Sequence, residues 1–383
     1  MATQEQNTIQ QKIGKVNKHA NDHKGRKVMS LKQGEISVAD DPTKAILSES
    51  GLNSKHLCDY VVNVATGCRH GCKFCYVPST PNIRARPEML EENANVENPQ
   101  KEWGEYVLYR DGLGERLDDH INRKTKWKET KKGCGIVGIS FSTDCYMDGR
   151  AGKITRNCVK ALTSNEKFVR VLTRNPILAL QDLDVFQQAN EFVTIGSSIS
   201  SLNSDHVMAI EPRAPSPEHR LRGLEEFDQH GVQTYVSMSP TYPTQSRADI
   251  RALMEEIAKV NPSVVFHEPI NPRGANFEMT IRAAEDSGQM DLVRELIDLR
   301  DKEYWSRYAV THFKWVQEIG EYLDLPIHLW PDKQLIKLLP KNIADWLERW
   351  RTRQSPEQFA HRSKIDKSVI APPSDNEIQV LVS

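Results

Sequence analysis

An apolar run, Tyr60 to Ala65, leads directly into the stretch Gly67-Cys68-Arg69-His70-Gly71-Cys72-Lys73-Phe74-Cys75-Tyr76. Its three cysteines are spaced C-x3-C-x2-C. Three thiolates on one short loop can each bind one iron of a cubane 4Fe-4S cluster and leave the fourth iron without a protein ligand. The alternative is a zinc site, which needs a fourth ligand from His70, Cys58 or Cys145.

The sequence around this loop alternates short aliphatic runs with amphipathic stretches. We predict strands at Tyr60–Ala65, Ile136–Ser142, Phe168–Thr173, Phe192–Ile199, Val232–Met238 and Val264–His267, and helices at Leu113–Trp127, Lys153–Ser164, Ile177–Ala189, Pro217–His230 and Arg247–Val260. This alternation is typical of β-α units with parallel strands. No GxGxxG or GxxxxGK[ST] stretch follows a predicted strand, so a full or partial barrel is favoured over a nucleotide-binding open sheet.

The cysteine loop therefore follows the first strand of an α/β barrel, at the carboxyl end where barrel enzymes carry their chemistry. In this placement the sequence resembles the radical S-adenosylmethionine (radical SAM) superfamily. The resemblance implies a partial (β/α)6 barrel, a 4Fe-4S cluster on Cys68, Cys72 and Cys75, and S-adenosyl-L-methionine on the open iron. It implies further that an electron from a reductant such as flavodoxin or ferredoxin cleaves the cofactor to a 5'-deoxyadenosyl radical, which abstracts hydrogen from the substrate.

A wider resemblance, from about Pro42 to Asp332, is to the spore photoproduct lyase-like ("DNA repair photolyase") group. It is carried by Ser142-Thr143-Asp144-Cys145-Tyr146, Leu172-Thr173-Arg174-Asn175-Pro176, Ser198-Ile199-Ser200, Glu211-Pro212-Arg213 and Glu268-Pro269-Ile270-Asn271-Pro272-Arg273. It implies lyase-like chemistry in nucleic-acid repair. Two alternatives stay open, namely the same radical chemistry on a peptide, nucleoside or small metabolite, and a non-catalytic metal- or cluster-binding module.

Polar groups at the ends of predicted strands converge above a barrel, where they can contact one cofactor. The candidate cofactor-binding residues are Phe74 and Tyr76 beside the adenine, with Ser142, Thr143, Asp144, Thr173, Arg174, Ser198, Ser200 and Arg213. The arginines offer planar donors to a carboxylate or phosphate, or form structural ion pairs, as Arg220 would with Glu211.

Four further residues are candidates for catalysis: Cys145, Tyr146, His267 and Glu268. Cys145 replaces the proline of the group's usual pattern. It is either a hydrogen-atom donor to a product radical or an inert small side chain. His267 and Glu268 end the sixth predicted strand, as an acid–base pair facing substrate or, for His267, as a buried structural histidine.

Composition narrows the class of protein. The 383 residues are 38% hydrophobic and 27% charged, with a formal net charge of -1, so no overall field attracts nucleic acid or membranes. The basic stretch His120 to Lys132 surrounds Trp127 and is either a nucleic-acid contact or a solvated helix end. The sequence has seven cysteines, an odd number that argues against a framework of disulfides. It has no apolar run of 20 residues, so no membrane span is predicted. We therefore predict a cytoplasmic protein.

Four regions are expected along the chain. Residues 1–34 form a mobile basic arm, 35–285 the barrel with its lead-in, 286–354 a helical C-terminal extension rich in tryptophan, and 355–383 a disordered tail. The oligomeric state is not predicted.

Overall fold

A computed structural model describes residues 36–52, 57–123, 127, 135–353, 371–379 and 381. Its strands are β1 (Ser37–Asp40), β2 (Ser48–Glu49), β3 (Tyr60–Val62), β4 (Ala65–Gly67), β5 (Tyr106–Tyr109), β6 (Val137–Ile139), β7 (Val169–Leu172), β8 (Val193–Ser198), β9 (Thr234–Thr241), β10 (Val265–Pro269) and β11 (Ile327–Leu329). The predicted basic arm lies outside these residues.

The helices fall between and after the strands. They are α1 (Pro81–Arg84), α2 (Pro87–Ala94), α3 (Leu113–Arg123), α4 (Gly149–Thr163), α5 (Pro176–Ala179), α6 (Leu183–Gln188), α7 (Ser204–Ile210), α8 (Pro217–Gln229), α9 (Arg247–Lys259), α10 (Ala275–Asp286), α11 (Met290–Asp298), α12 (Lys302–Tyr322), α13 (Lys333–Leu338), α14 (Lys341–Arg353) and α15 (Asp375–Gln379). No helix among the described residues is both long and apolar enough to cross a membrane.

The main sheet has the strand order β11-β10-β9-β8-β7-β6-β3-β2. From β3 to β11 every neighbouring pair is parallel, and only β2 runs antiparallel, against β3. The sheet ends at β2 and β11 instead of closing, which confirms the predicted partial α/β barrel. Five of the six predicted strands are each present as one strand, and the first is divided.

Helix ends follow the capping chemistry that the sequence contains. The Ser216 hydroxyl accepts from the backbone N–H of His219 and Pro217 opens α8, as predicted. Ser246 and Asp249 form a reciprocal capping box at the start of α9. These caps fix where each helix begins, and therefore where each preceding loop lies above the barrel.

Two features of the sheet differ from the prediction. The run Tyr60–Ala65 is not one strand: β3 belongs to the barrel, while β4 leaves it and pairs with β5 in a three-stranded sheet ordered β1-β5-β4. A seventh parallel strand, β11, lies inside the segment predicted to be a helical extension. It is only three residues long, which is too short for a hydrophobic period to stand out.

The rest of the extension packs against the second half of the barrel. Trp305, Trp346 and Trp350 are buried there, and the indole N–H groups of Trp346 and Trp350 lie 2.9 and 3.0 Å from Gln317 Oε1. The predicted tail is ordered where it is described, because α15 buries Ile378 and its Asp375 pairs with the buried Lys314.

Candidate functional site

The cysteine loop leaves β4 at Gly67 and borders a cavity of about 650 Å³ inside the barrel. Cys68, Cys72 and Cys75 all line this cavity. Residues at or just after the carboxyl ends of the parallel strands line it as well, including Thr143, Arg174 and Ser198. The volume falls in the range of roughly 300–1,000 Å³ that is usual for ligand sites.

The loop turns sharply because two glycines adopt left-handed backbone. Gly67 has φ +89° and a Cβ there would lie 2.2 Å from the Tyr106 carbonyl oxygen; Gly71 has φ +62° and approaches the Gly104 Cα. Only glycine fits such positions without strain. Both positions of the loop therefore require glycine.

Contacts from four separate elements hold the loop. The Thr143 hydroxyl donates to the Gly67 carbonyl, and the Arg69 guanidinium lies 3.3 Å from Asp148 at the start of α4. The Lys73 N–H donates to the Ile210 carbonyl at 2.9 Å, and the Asn276 amide of α10 donates to the Phe74 carbonyl at 2.8 Å. These contacts fix the course of the loop from Gly67 to Phe74.

Asp144 connects this loop to the strand ends. Its carboxylate accepts hydrogen bonds from the Thr173 hydroxyl and the Arg174 N–H, both at 2.7 Å, and lies 3.3 Å from His70 Nε2. Burial alone would raise the pKa of Asp144, but His70 and these hydrogen bonds lower it to about 2. Asp144 and Thr173 were predicted to contact a cofactor; the structure shows them bound to each other, although both border the cavity.

The residues suggested as a fourth zinc ligand are placed elsewhere. His70 uses Nδ1 against the Arg213 carbonyl at 3.2 Å and Nε2 against Asp144, the Cys58 thiol faces Ser50, and the Cys145 thiol faces the Leu172 carbonyl at 3.5 Å. Among the described residues no three Cys, His, Asp or Glu side chains, the loop cysteines included, surround one metal position, so this criterion does not separate zinc from an iron-sulfur cluster. These contacts give the zinc alternative no fourth ligand.

The loop thiols are buried close to one another. Burial raises the pKa of Cys72 to about 11, and burial together with the nearby Cys72 charge raises that of Cys75 to about 12. Burial and the Asp144 charge raise the pKa of Cys68. A side-chain hydrogen bond from Trp103, which no sequence pattern indicated, also reaches Cys75 and lowers its pKa. Iron binding to these thiols therefore releases protons.

A buried charge network lies next to Cys72. Glu211 accepts from Arg174 at 2.6 Å and from Arg220 at 2.5 Å, and the Ser200 hydroxyl lies 3.2 Å from its other oxygen. The predicted Arg220–Glu211 pair is thus confirmed. Ser200 contacts Glu211 and is not among the cavity-lining residues, whereas Arg174 lines the cavity with its guanidinium 5.0 Å from the Phe74 ring centre.

The other predicted cofactor residues are divided. Phe74, Tyr76, Thr143 and Ser198 line the cavity. Ser142 is not among the lining residues; its N–H donates to the Asn63 side chain at 3.1 Å. Arg213 is exposed and is not among the lining residues, and its guanidinium packs against Gly71 and Gly104.

The four catalytic candidates do not form one group. Cys145 and Tyr146 are fully buried beneath the cavity lining, and the Tyr146 hydroxyl lies 3.0 Å from Asp182. His267 and Glu268 both border the cavity, but neighbouring residues of a strand point to opposite faces. The His267 ring contacts Thr241 at 3.0 Å and Phe313 of α12, so the two do not form an acid–base pair facing substrate.

The fold and the loop together define a class of protein. A family model described as the radical SAM superfamily matches residues 62–257, about half of the chain. The chain belongs to that superfamily.

Proteins of other organisms are similar to this chain over about half of its length or more. An uncharacterized protein of Acidianus two-tailed virus is 31% identical over 243 residues, 62% of this chain and 76% of that protein. Uncharacterized proteins of Methanocaldococcus jannaschii and Mycobacterium tuberculosis are 26% and 24% identical, over 48% and 56% of this chain and 61% and 60% of theirs.

Solved structures with a similar fold include two enzymes. A variant of spore photoproduct lyase superposes with a TM-score of 0.49 at 13% identity, over 76% of this chain and 91% of that one. Streptococcus suis SuiB bound to S-adenosylmethionine gives a TM-score of 0.42 at 11% identity, over 74% of this chain and 49% of that one.

Proposed function

We propose that the chain binds one 4Fe-4S cluster through Cys68, Cys72 and Cys75 and is a radical SAM enzyme. The observation that carries this proposal is that all three cysteines of the loop border one cavity together with the strand-end residues Thr143, Arg174 and Ser198. When bound, the cluster and S-adenosylmethionine supply reductive cleavage of the cofactor and hydrogen abstraction from a substrate.

The residues of the chain have distinct tasks in this proposal. Arg174 and Ser198 would hold the polar end of the cofactor, and Phe74 and Tyr76 its adenine. Burial alone would lower the pKa of Arg174, but Cys72 and Glu211 raise it, so the guanidinium keeps its charge. Asp144 and Glu211 are positioning residues, because they hold His70 and Arg174 in place.

The electron would enter from the outer side of the loop. Arg213 is exposed there and lies against Gly71, between two cysteines of the loop. A positive group at this point suits an acidic one-electron donor such as a flavodoxin or ferredoxin. Such a donor, and the free state of all six described cysteines, support a cytoplasmic location.

For the substrate we favour a small molecule over a nucleic-acid lesion. The lesion-repair hypothesis is supported by the sequence motifs that resemble the spore photoproduct lyase-like group. Trp127, the aromatic residue of the basic stretch, contacts other residues of the protein. Its ring packs on Tyr60 with ring centres 4.7 Å apart, and the Lys167 ammonium lies over it. Arg123, at the end of α3, pairs with Asp119 at 3.3 Å, and the lysines of the basic stretch lie outside the described residues.

The test is formation of 5'-deoxyadenosine. Protein purified without oxygen and reconstituted with iron and sulfide is incubated with S-adenosylmethionine and dithionite. We expect product from the wild type, none from Cys72→Ala, and undiminished product from Cys158→Ala, which removes an equally buried thiol from α4. No product from the fully loaded wild type would contradict the proposal and favour the non-catalytic binding module.

A further inference from the structure

The charge network beside Cys72 contains two arginines and one carboxylate. Glu211 directly follows α7, Arg174 follows β7, and Arg220 lies in α8, so three elements bring the group together. One Glu211 oxygen accepts from Arg174 at 2.6 Å and from Arg220 at 2.5 Å. Burial alone would raise the pKa of Glu211, but the two arginines lower it, so the carboxylate is ionised. Since arginine keeps its charge in proteins, the group has one positive charge in excess.

This excess charge lies inside the protein. The side chains of Arg220 and Glu211 are fully buried, and that of Arg174 is 13% exposed. Arg220 also donates to the carbonyls of Pro215 and Ser198, at 2.8 and 2.9 Å, and is not among the residues that line the cavity. Removing charges from water costs free energy, and a charge without a counterion costs most. The network is therefore suited to a further negative group close to it.

Backbone hydrogen bonding fixes this network next to the second cysteine of the loop. The Lys73 N–H donates to the Ile210 carbonyl at 2.9 Å. The residue that follows Cys72 is thus bonded to the residue that precedes Glu211. Arg174 lines the same cavity as Cys72, so the network meets the loop at this cysteine.

The charges of the network act on the Cys72 sulfur. Burial raises the pKa of Cys72; after burial, Arg174 lowers it, Glu211 raises it and Arg220 lowers it. Asp144 raises it as well, but this carboxylate has His70 as its own partner at 3.3 Å. Such interactions are stronger at a buried site than at the surface.

A 4Fe-4S cluster becomes more negative when it takes up an electron, and its reduction potential depends on nearby charge. We propose that the Arg174–Glu211–Arg220 group sets the reduction potential of the cluster, with the two arginines raising it and the carboxylate lowering it. One electron passes from the donor to the cluster, and no bond forms or breaks. This inference rests on the proposed function and adds the residues that determine how readily the cluster is reduced.

The test is the midpoint potential of the reconstituted cluster without S-adenosylmethionine, measured by dithionite titration and electron paramagnetic resonance. Glu211→Gln keeps the shape of the side chain and removes its charge, so we expect a higher potential. Arg220→Met and Arg174→Gln each remove a positive charge, so we expect a lower one. Each change should alter the equilibrium constant of one-electron reduction about tenfold, which corresponds to about 59 mV.

A conservative variant and two controls accompany these changes. Arg220→Lys keeps the charge and should stay closer to the wild-type potential than Arg220→Met. Arg251→Met and Glu255→Gln change the two members of an exposed ion pair on α9 and should leave the potential unchanged. Opposite shifts on removing a carboxylate and an arginine identify an effect of charge, because a general disturbance of the loop does not reverse its sign.

Unchanged potentials, or shifts of the same sign in Glu211→Gln and the arginine variants, would overturn the inference. Arg174 borders the cavity and is less buried than Arg220, so Arg174→Gln decides the question even if Arg220→Met does not fold. A potential in Arg174→Gln at or above the wild-type value overturns the inference.

The wild type separates the two proposals. A cluster that is reduced but gives no 5'-deoxyadenosine with S-adenosylmethionine contradicts the proposed enzyme, while the shifts in potential still decide this inference. Product from the wild type, with potentials that the substitutions do not move, overturns this inference alone. A wild type that binds no 4Fe-4S cluster contradicts both.

Discussion

His70 Nε2 lies 3.3 Å from the Asp144 carboxylate, and this contact joins the cysteine loop to the barrel. Asp144 also accepts from Thr173 and from the Arg174 N–H, while the other His70 nitrogen faces the Arg213 carbonyl. One buried carboxylate therefore sets the position of the loop relative to the ends of β6 and β7. The contacts of Asp144 and His70 therefore connect the loop to the barrel.

Removal of the Asp144 charge should loosen this connection. Its folded-state pKa of about 2 lies below the ordinary value of 3.8, so its stabilising contribution is complete above pH 3.8 and is lost as pH falls through about 2. At neutral pH we expect Asp144→Asn to lower the free energy of unfolding by about 2 kcal/mol and to reduce iron content after reconstitution. Urea unfolding and iron analysis measure both. Asp205→Asn, on an exposed part of α7, is the control, and an unchanged iron content would contradict the prediction.

The turn at Gly67 should tolerate no side chain. Its backbone is left-handed, and an added Cβ would overlap the Tyr106 carbonyl oxygen at 2.2 Å. Gly231 is a matched control, because its φ of +75° is similar but nothing lies within 4 Å of an added Cβ. We expect Gly231→Ala to cost about 1 kcal/mol and Gly67→Ala clearly more, with reduced cluster loading only in the latter. Equal losses of stability in the two variants would contradict the steric argument.

The position of the loop follows from pattern, but its surroundings do not. The six aliphatic runs predict six parallel strands because each run is buried on both faces. The same double burial hides which residues of most strands face the interior, because apolar side chains lie on both faces. In β7, one charged residue, Arg170, stands between Val169 and Val171. The available signal was the charge itself, since an arginine inside a doubly buried strand needs an explanation.

Trp103 and the sheet β1-β5-β4 were missed for a different reason. The strands of that sheet are three or four residues long and pair across the sequence, from Ser37 to Tyr109. Long-range pairing of short strands leaves no local period in the sequence. For Ser142, Ser200 and Arg213 the sequence predicted cofactor contacts. In the structure these residues contact other parts of the protein and are not among the residues that line the cavity.

The Cys145 thiol should be dispensable for the radical chemistry as long as a small side chain fills its buried position. Its thiol is fully buried against the Leu172 carbonyl and is not among the residues that line the cavity. We expect Cys145→Ala to form 5'-deoxyadenosine at close to the wild-type rate, with a loss of about 1 kcal/mol in unfolding free energy from the small cavity that it creates. A large fall in rate with normal iron content and stability would instead restore the hydrogen-donor hypothesis.

Arg213 should affect electron delivery by protein donors. A reversed charge at this exposed site, Arg213→Glu, is expected to slow cluster reduction by an acidic flavodoxin several-fold at low salt, and added salt should reduce the difference. Photoreduced deazaflavin, a small uncharged reductant, should reduce both proteins equally. Stopped-flow absorbance measures these rates.

Two further variants separate charge from position in that experiment. Arg213→Gln should give an intermediate rate with flavodoxin, and Arg251→Glu, which reverses an exposed charge on α9, should match the wild type. Equal slowing with both reductants in Arg213→Glu would show that the substitution disturbs the loop itself, since the guanidinium packs against Gly71 and Gly104.

The neutral histidines behind β10 should make stability depend on pH. Burial lowers the pKa of His312 to about 3, and a hydrogen bond to the Gln245 backbone offsets this only in part. The unfolded chain takes up a proton near pH 6.5 and the folded one does not, so the free energy of unfolding falls as pH drops below 6.5. His312→Gln should reduce the slope by up to about 1.4 kcal/mol per pH unit in urea unfolding between about pH 5 and pH 7. Burial also lowers the pKa of His267, so part of the pH dependence remains in His312→Gln. The control His230→Gln, at an exposed site, should leave the slope unchanged. Equal slopes for His312→Gln and the wild type would contradict the assignment of this pH dependence to His312.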